Sequence, residues 1–300
     1  MAKTPKKNKA APKKRYAAHN FLFLSLGVSW MMAAGLYLGE QPLSSLAGFL
    51  VATIYIFVPA GVTLLVYNKT LMDRVDLALH PNRGFLLAIL VPISLGALSL
   101  WISTLMGETQ FSWELADVFD RMALNVPEDQ RPKIVEGQLH PFWAASIQSL
   151  VAGVSINAFF ALGEELGWRG LLLNEWIKEG FWGLSLRTGM AWGLWWAPLV
   201  YLGQQYPGYP TEGVAMILIW AVLASPLITW VRILARSVAA AALMRGLLMA
   251  VSGLSIMPLQ GGNVLTSGLM GQAGLLALLL ANLALFVGLK VKPLVLPPQR

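Results

Sequence analysis

Residues 161–170 read ALGEELGWRG, which sets Glu164 and Glu165 side by side at the end of a long apolar run, with Arg169 four positions after Glu165. A second cation, Arg245, interrupts another apolar run, AAAALMRGLLMAV. Adjacent carboxylates can take a proton from water, hold a metal ion, relay a proton or neutralise an arginine. Inside hydrocarbon each ionised group costs about 2.5–3.5 kcal/mol on the insertion scale, so such residues mark functional sites or internally paired charges. Glu165 and Arg169 are spaced i,i+4 and share one helix face. Cysteine is absent, which excludes disulfides, thiol catalysis and thiolate metal sites. The three histidines, His19, His80 and His140, flank apolar runs and are not part of the cluster. His140, in LHPFW, reads as a helix start and not as a ligand.

The elements that must position these charges are helices in a bilayer. Of 300 residues, 56% are apolar and 12% charged, and the mean hydropathy is +0.61. Apolar runs long enough to cross a hydrocarbon core of roughly 30 Å recur along the whole chain. They fall at about residues 21–38, 44–67, 84–105, 142–165, 181–203, 213–235, 236–257 and 267–289. A lipid-exposed backbone must satisfy its own polar groups, and the short alternating segments of a membrane barrel are absent, so these runs predict helices. The expected fold is all-α, a polytopic bundle of about eight transmembrane helices. No internal repeat of fixed period is visible.

Charge sets the expected orientation. A basic tail over residues 1–20 precedes the first run, and Lys69, Arg74, Arg83, Lys178, Arg187, Arg232, Arg236, Lys290 and Lys292 fall in the loops of that same side. Acids gather on the other side, most densely between residues 106 and 141. The excess of Lys and Arg predicts that both termini are cytoplasmic, including a C-terminal tail over 291–300. The long basic start, with no small-residue cleavage pattern behind it, reads as retained in a bacterial inner membrane and not as a signal peptide. The net charge of +7 is accounted for by topology and by anionic lipids of the bilayer, so no nucleic-acid partner is expected.

Between residues 21 and 290 the chain reads as one membrane domain. Its largest external piece, 106–141, contains FSWELADVFDRMAL, whose apolar residues share a helical face and predict an amphipathic surface helix. WRGLLLNEWIKEG, residues 168–180, predicts a short interfacial helix. QQYPGYP, residues 204–210, predicts a turn-rich loop with its tyrosines anchored at the interface.

The frame EExxxRG, here Glu164-Glu165-Leu166-Gly167-Trp168-Arg169-Gly170, resembles the first motif of the CPBP intramembrane metalloproteases. That family includes the CAAX prenyl endoproteases and the bacteriocin-processing or immunity (Abi) proteins. The resemblance extends over residues 140–255. The family's second motif, FxxxH, commonly sits in a stretch like GLWHAPL; residues 191–199 read AWGLWWAPL, with Trp196 at the histidine position. The third, HxxxN, corresponds to MRGLLMA at 244–250, with Arg245 at the histidine and Met249 at the asparagine.

The resemblance implies an eight-helix bundle in which Glu164, Glu165 and Arg169 retain the catalytic motif positions. It also implies a divalent metal such as zinc, held with the two histidines, that activates a water beside the glutamate. A catalytic zinc generally needs about three N, O or S ligands and an open position. Arginine stays protonated and has no lone pair to give. No cofactor is therefore expected. Arg245 is expected to point into the pocket and pair with Glu164 or Glu165, Arg169 to close the network at the cytoplasmic rim, and Trp196 to fill the space of an imidazole.

The reading that follows is a pseudo-protease that binds or scaffolds a membrane peptide, a lipid or a partner protein through the family's cavity. The same charges also fit a relic that only stabilises the bundle. Against these stand an active CAAX-type endopeptidase and, from acids at membrane depth alone, a proton-coupled transporter.

Overall fold

The computed structural model describes residues 16–68, 75–115 and 139–298, and they form a helical bundle. Its helices are α1 (Ala17–Leu38), α2 (Leu46–Tyr67), α3 (Arg83–Leu105), α4 (Pro141–Val154), α5 (Ile156–Glu165), α6 (Leu172–Trp176), α7 (Gly180–Tyr201), α8 (Pro210–Ala235), α9 (Val238–Leu254) and α10 (Gln272–Val291). Two short strands, β1 (Gln110–Phe111) and β2 (Leu259–Gln260), pair antiparallel with Phe111 opposite Leu259.

Six stretches among the described residues are long and apolar enough to cross a membrane, so the protein is a multi-pass, all-α membrane protein. The difference from eight expected spans has two sources. Pro141–Tyr201 is a near-continuous run of helices that covers two of the expected spans. Val238–Leu254, with 17 residues, is shorter than the others because Arg236 turns left-handed and the Ser237 hydroxyl caps the next helix by accepting from Ala239 N–H.

Outer and inner helices divide by composition. Phe23, Met31, Phe49, Leu65, Leu86 and Phe159 are exposed side chains of apolar helices, as a lipid-facing surface requires. The tryptophans Trp168, Trp192, Trp195, Trp196 and Trp220 are buried together at the centre. α7 and α8 pack along their lengths, and α9 lies against α3, α4 and α5. α1 and α2 are tied to α7 by hydrogen bonds: Trp195 Nε1 donates to Ser29 Oγ at 2.7 Å, and the Tyr55 hydroxyl donates to the Trp195 carbonyl.

The expected fourth span, 142–165, is not one helix. It breaks at Ser155, with φ −116° and ψ −89°, and the Ser155 hydroxyl turns back to the Val151 carbonyl at 2.6 Å. The break coincides with a close crossing. A Cβ on Gly246 of α9 would lie 2.5 Å from Ala158 N and from the Gly153 carbonyl oxygen, so only glycine lets the two backbones meet there. α5 is thereby tilted independently of α4, and its C-terminal acids face inward.

The segment 168–180 also departs from the expected interfacial helix. It divides into a π-helical turn (Leu166–Leu171), α6 and a 3-10 turn (Ile177–Glu179), and Trp168, Arg169, Leu171, Leu172 and Leu173 are buried. Gly167 makes this possible, since a Cβ there would stand 2.4 Å from the Phe21 ring. Most of the amphipathic helix expected over FSWELADVFDRMAL lies outside the described residues; its first residue, Phe111, is strand, and residues 112–115 are not helical. Tyr206, expected at the interface, is fully buried, with its hydroxyl donating to the Met270 carbonyl at 2.8 Å.

Candidate functional site

Four chain segments converge on the charges. α5 ends in Glu164 and Glu165, the π-helical turn supplies Arg169, α7 supplies Trp192 and Trp196, and α9 supplies Arg245. All six side chains are buried, and none is more than 4% exposed where a value decides the matter: Glu164 1%, Glu165 0%, Arg169 0%, Arg245 4%. Formally the two carboxylates balance the two guanidiniums, which is the condition under which such groups persist away from water.

The two pairs differ in kind. Arg169 Nη1 donates to Glu165 Oε1 at 3.0 Å, a direct i,i+4 contact within one winding of chain. Arg245 Nη2 stands 3.9 Å from Glu164 Oε1, near enough to neutralise it but beyond hydrogen-bond distance. Glu164 takes its hydrogen bonds instead from indoles: Trp192 Nε1 donates to Oε2 at 2.9 Å, and Trp196 Nε1 reaches the same oxygen at 3.4 Å.

Trp192 joins the pairs. The Arg169 guanidinium lies 4.9 Å from its ring centroid and that of Arg245 lies 5.0 Å away, so one indole donates to an acid while its π face meets two cations. Trp196 and Trp220 add further faces to Arg245, each 5.9 Å away. The network is only partly satisfied. Glu165 Oε2, Arg169 Nε and Nη2, and Arg245 Nε have no hydrogen-bond partner among the described residues. Arg169, expected at a cytoplasmic rim, is wholly buried, and its own carbonyl accepts from Arg232 Nε at 3.2 Å.

The structure brings Trp196, Arg245 and Met249 onto one cavity. They line a space of about 80 Å³ together with Trp220, Ser252 and Met270. The histidines are elsewhere: His19 and His80 are exposed, and His140 caps α4, its Nδ1 accepting from Phe142 N–H at 3.2 Å. Two central residues were not assigned a role from sequence, Trp192 and Trp220. For Trp192 the signal was present, since it precedes Trp196 by one helical turn and carries an indole N–H on the same face, able to reach an acid.

These residues do not fit a divalent metal. Indole and guanidinium nitrogens are donors without an available lone pair, and they occupy the directions from which ligands would approach Glu164. Among the described residues no group of three or more His, Cys, Asp or Glu is placed to hold an ion. What the arrangement does is fix two carboxylates in a low-dielectric centre with aromatic and cationic partners.

Fold and site together define a multi-pass helical membrane protein with a buried Glu-Glu-Arg centre beside a small cavity. Residues 142–251 match the family model described as Rce1-like, Type II CAAX prenyl endopeptidase Rce1-like. The match agrees with the family read in the motif frames, and the matched stretch contains the whole charged centre. No curated protein and no solved structure matches the chain.

Proposed function

We propose that this protein is a pseudo-protease: a membrane protein that keeps the centre of the Rce1-like module as a charge scaffold and engages a membrane peptide, lipid or protein partner without hydrolysis. One observation carries the reading. Trp196 and Arg245 stand where the resemblance expects histidines: the Trp196 indole N–H reaches Glu164 Oε2 at 3.4 Å, and the Arg245 guanidinium faces Glu164 Oε1 at 3.9 Å. The carboxylate that would activate a water is already occupied as an acceptor and faces a fixed cation in place of a metal. The cavity beside it supplies the surface for a partner, and the basic residues at one end of the bundle support a bacterial inner-membrane placement with both termini cytoplasmic.

The test is metal analysis of the purified full chain combined with cleavage assays on prenylated and membrane-anchored peptides. The expected result is no stoichiometric metal and no cleavage above that of Glu164→Ala. Cleavage that disappears in Glu164→Ala would overturn the proposal in favour of a second reading, an active intramembrane endopeptidase. That alternative is favoured by the match of residues 142–251 to an endopeptidase model.

A further inference from the structure

The cavity of about 80 Å³ beside the charged centre reaches from Arg245 to Gln205, in the loop between α7 and α8. The geometry points to a binding site for one small monovalent anion of the carboxylate class, held on the donors that Arg245 does not spend on Glu164. This deepens the pseudo-protease reading and rests on it, since it takes Arg245 as a ligand-binding group where the resemblance expects a metal ligand.

The unused guanidinium comes first. Arg245 is 4% exposed, and among the described residues it makes no hydrogen bond: Nη2 stops 3.9 Å from Glu164 Oε1, and Nε has no partner. Glu164 takes its hydrogen bonds from Trp192 and Trp196 instead. The rings of Trp192, Trp196 and Trp220 lie 5.0, 5.9 and 5.9 Å from the guanidinium, which favours the cation but satisfies none of its N–H groups. A buried donor without an acceptor is costly, and a planar anion with two oxygens matches the guanidinium fork.

The second argument is size. Arg245, Met249 and Ser252 stand at i, i+4 and i+7 along one face of α9, so a single helix presents the cation and most of a turn of wall beyond it. At roughly 30 Å³ per water molecule, the space equals about two or three waters. Formate or acetate fits such a volume.

The third is a second donor at the far end. Gln205 holds φ 71°, a left-handed geometry that glycine adopts without a Cβ penalty and glutamine does not. The next residue pins the loop, because the Tyr206 hydroxyl donates to the carbonyl of Met270, itself on the cavity wall. The half-buried Gln205 side chain is thereby kept on the wall, with an amide NH₂ to offer. Among the described residues no acid lines the cavity, but Glu164 lies behind Arg245 and opposes a second anion. Binding is therefore expected to be weak, half-saturating at about 1–10 mM.

The experiment follows the unfolding temperature of the full chain in neutral detergent against sodium acetate, acetamide and sodium chloride. Ionic strength is held with a bulky organic sulfonate, and cleavage of prenylated peptides is measured on the same preparation. Acetate is expected to raise the midpoint saturably, and acetamide, of the same shape without the charge, to leave it unchanged. Arg245→Gln should abolish the response, but it also strips Glu164 of its cation, so two changes that leave every charge in place carry the test. Met249→Phe, which fills the cavity, should raise the half-saturating concentration about tenfold or more. Gln205→Gly should raise it about tenfold, the loss of one hydrogen bond to a charged group. Because glycine suits that backbone, the unliganded Gln205→Gly variant should melt close to the parent, which separates ligand loss from misfolding. Saturation by chloride with the same dependence on Met249 and Gln205 would support the anion site and assign a halide as its occupant. Equal responses to acetate and acetamide, or undiminished affinity in Met249→Phe or in Gln205→Gly, would overturn the proposal. Cleavage that disappears in Glu164→Ala would overturn the underlying reading as well, whereas a missing acetate response without cleavage would overturn the anion site alone.

Discussion

Trp192 donates its indole N–H to Glu164 Oε2 at 2.9 Å while the guanidiniums of Arg169 and Arg245 lie over its ring at 4.9 and 5.0 Å. A single neutral side chain thus holds together three buried charges from three parts of the chain. Substitution Trp192→Phe keeps a smaller aromatic face and deletes the donor. Hydrogen bonds to charged groups contribute about 1.5–3 kcal/mol, and a loss in that range is expected in unfolding measurements in detergent. A change below about 0.5 kcal/mol would mean that Trp196 replaces it.

Arg245 and Glu164 should behave as a coupled pair despite their separation of 3.9 Å. Arg245→Met removes one charge and leaves the other buried, for which losses of about 3–5 kcal/mol are typical. The indole donors on Glu164 place the expected loss at the lower end. Glu164→Gln combined with Arg245→Met should recover about 1 kcal/mol or more relative to the sum of the single changes, as read by a double-mutant cycle. Strict additivity would show that the two groups do not interact.

Gly246 brings α9 against the α4–α5 break, and no backbone shift is cheap there. Gly246→Val is expected to cost about 3 kcal/mol or more, because the added carbons meet backbone atoms and not the end of a flexible chain. Gly288, whose Cβ would meet nothing within 4 Å, provides the contrast; Gly288→Ala should not destabilise. Comparing the two variants by thermal unfolding tests the crossing itself.

Tyr206 lies in the loop between α7 and α8, and burial pushes its hydroxyl pKa up. The neutral hydroxyl is the favoured folded form, while an unfolded tyrosine ionises near pH 10. Its contribution is therefore complete below about pH 10 and is lost as pH rises toward the higher folded value. Tyr206→Phe should cost about 1 kcal/mol at neutral pH. Its stability should then fall less steeply than the parent's in alkaline titration, and parallel curves would remove the hydroxyl from the account.

Much of this molecule was legible from sequence because lipid imposes simple rules. Long apolar runs without barrel-type alternation must become helices, and helices occupy most of each of the eight runs, because a helix satisfies its polar groups within one stretch of chain. The motif frames around Glu164, Trp196 and Arg245 were equally plain. Where expectation failed, the cause was close packing between distant residues. Ser155 breaks a helix because Gly246 approaches from α9, Trp168 and Arg169 sink inward because Gly167 admits Phe21, and Tyr206 is buried because Met270 offers it a carbonyl.

The sequence by itself determined the class of protein, the helices and which residue types stand at the centre, since composition, periodicity and local spacing are properties of one stretch of chain. Tertiary structure alone decided how those residues meet. The i,i+4 spacing already joined Glu165 to Arg169, but that Glu164 accepts from Trp192 while Arg245 stays at 3.9 Å depends on the angles between α5, α7 and α9. Those angles follow from glycine contacts and side-chain volumes far apart in the chain, whose energies exist only once the helices have packed.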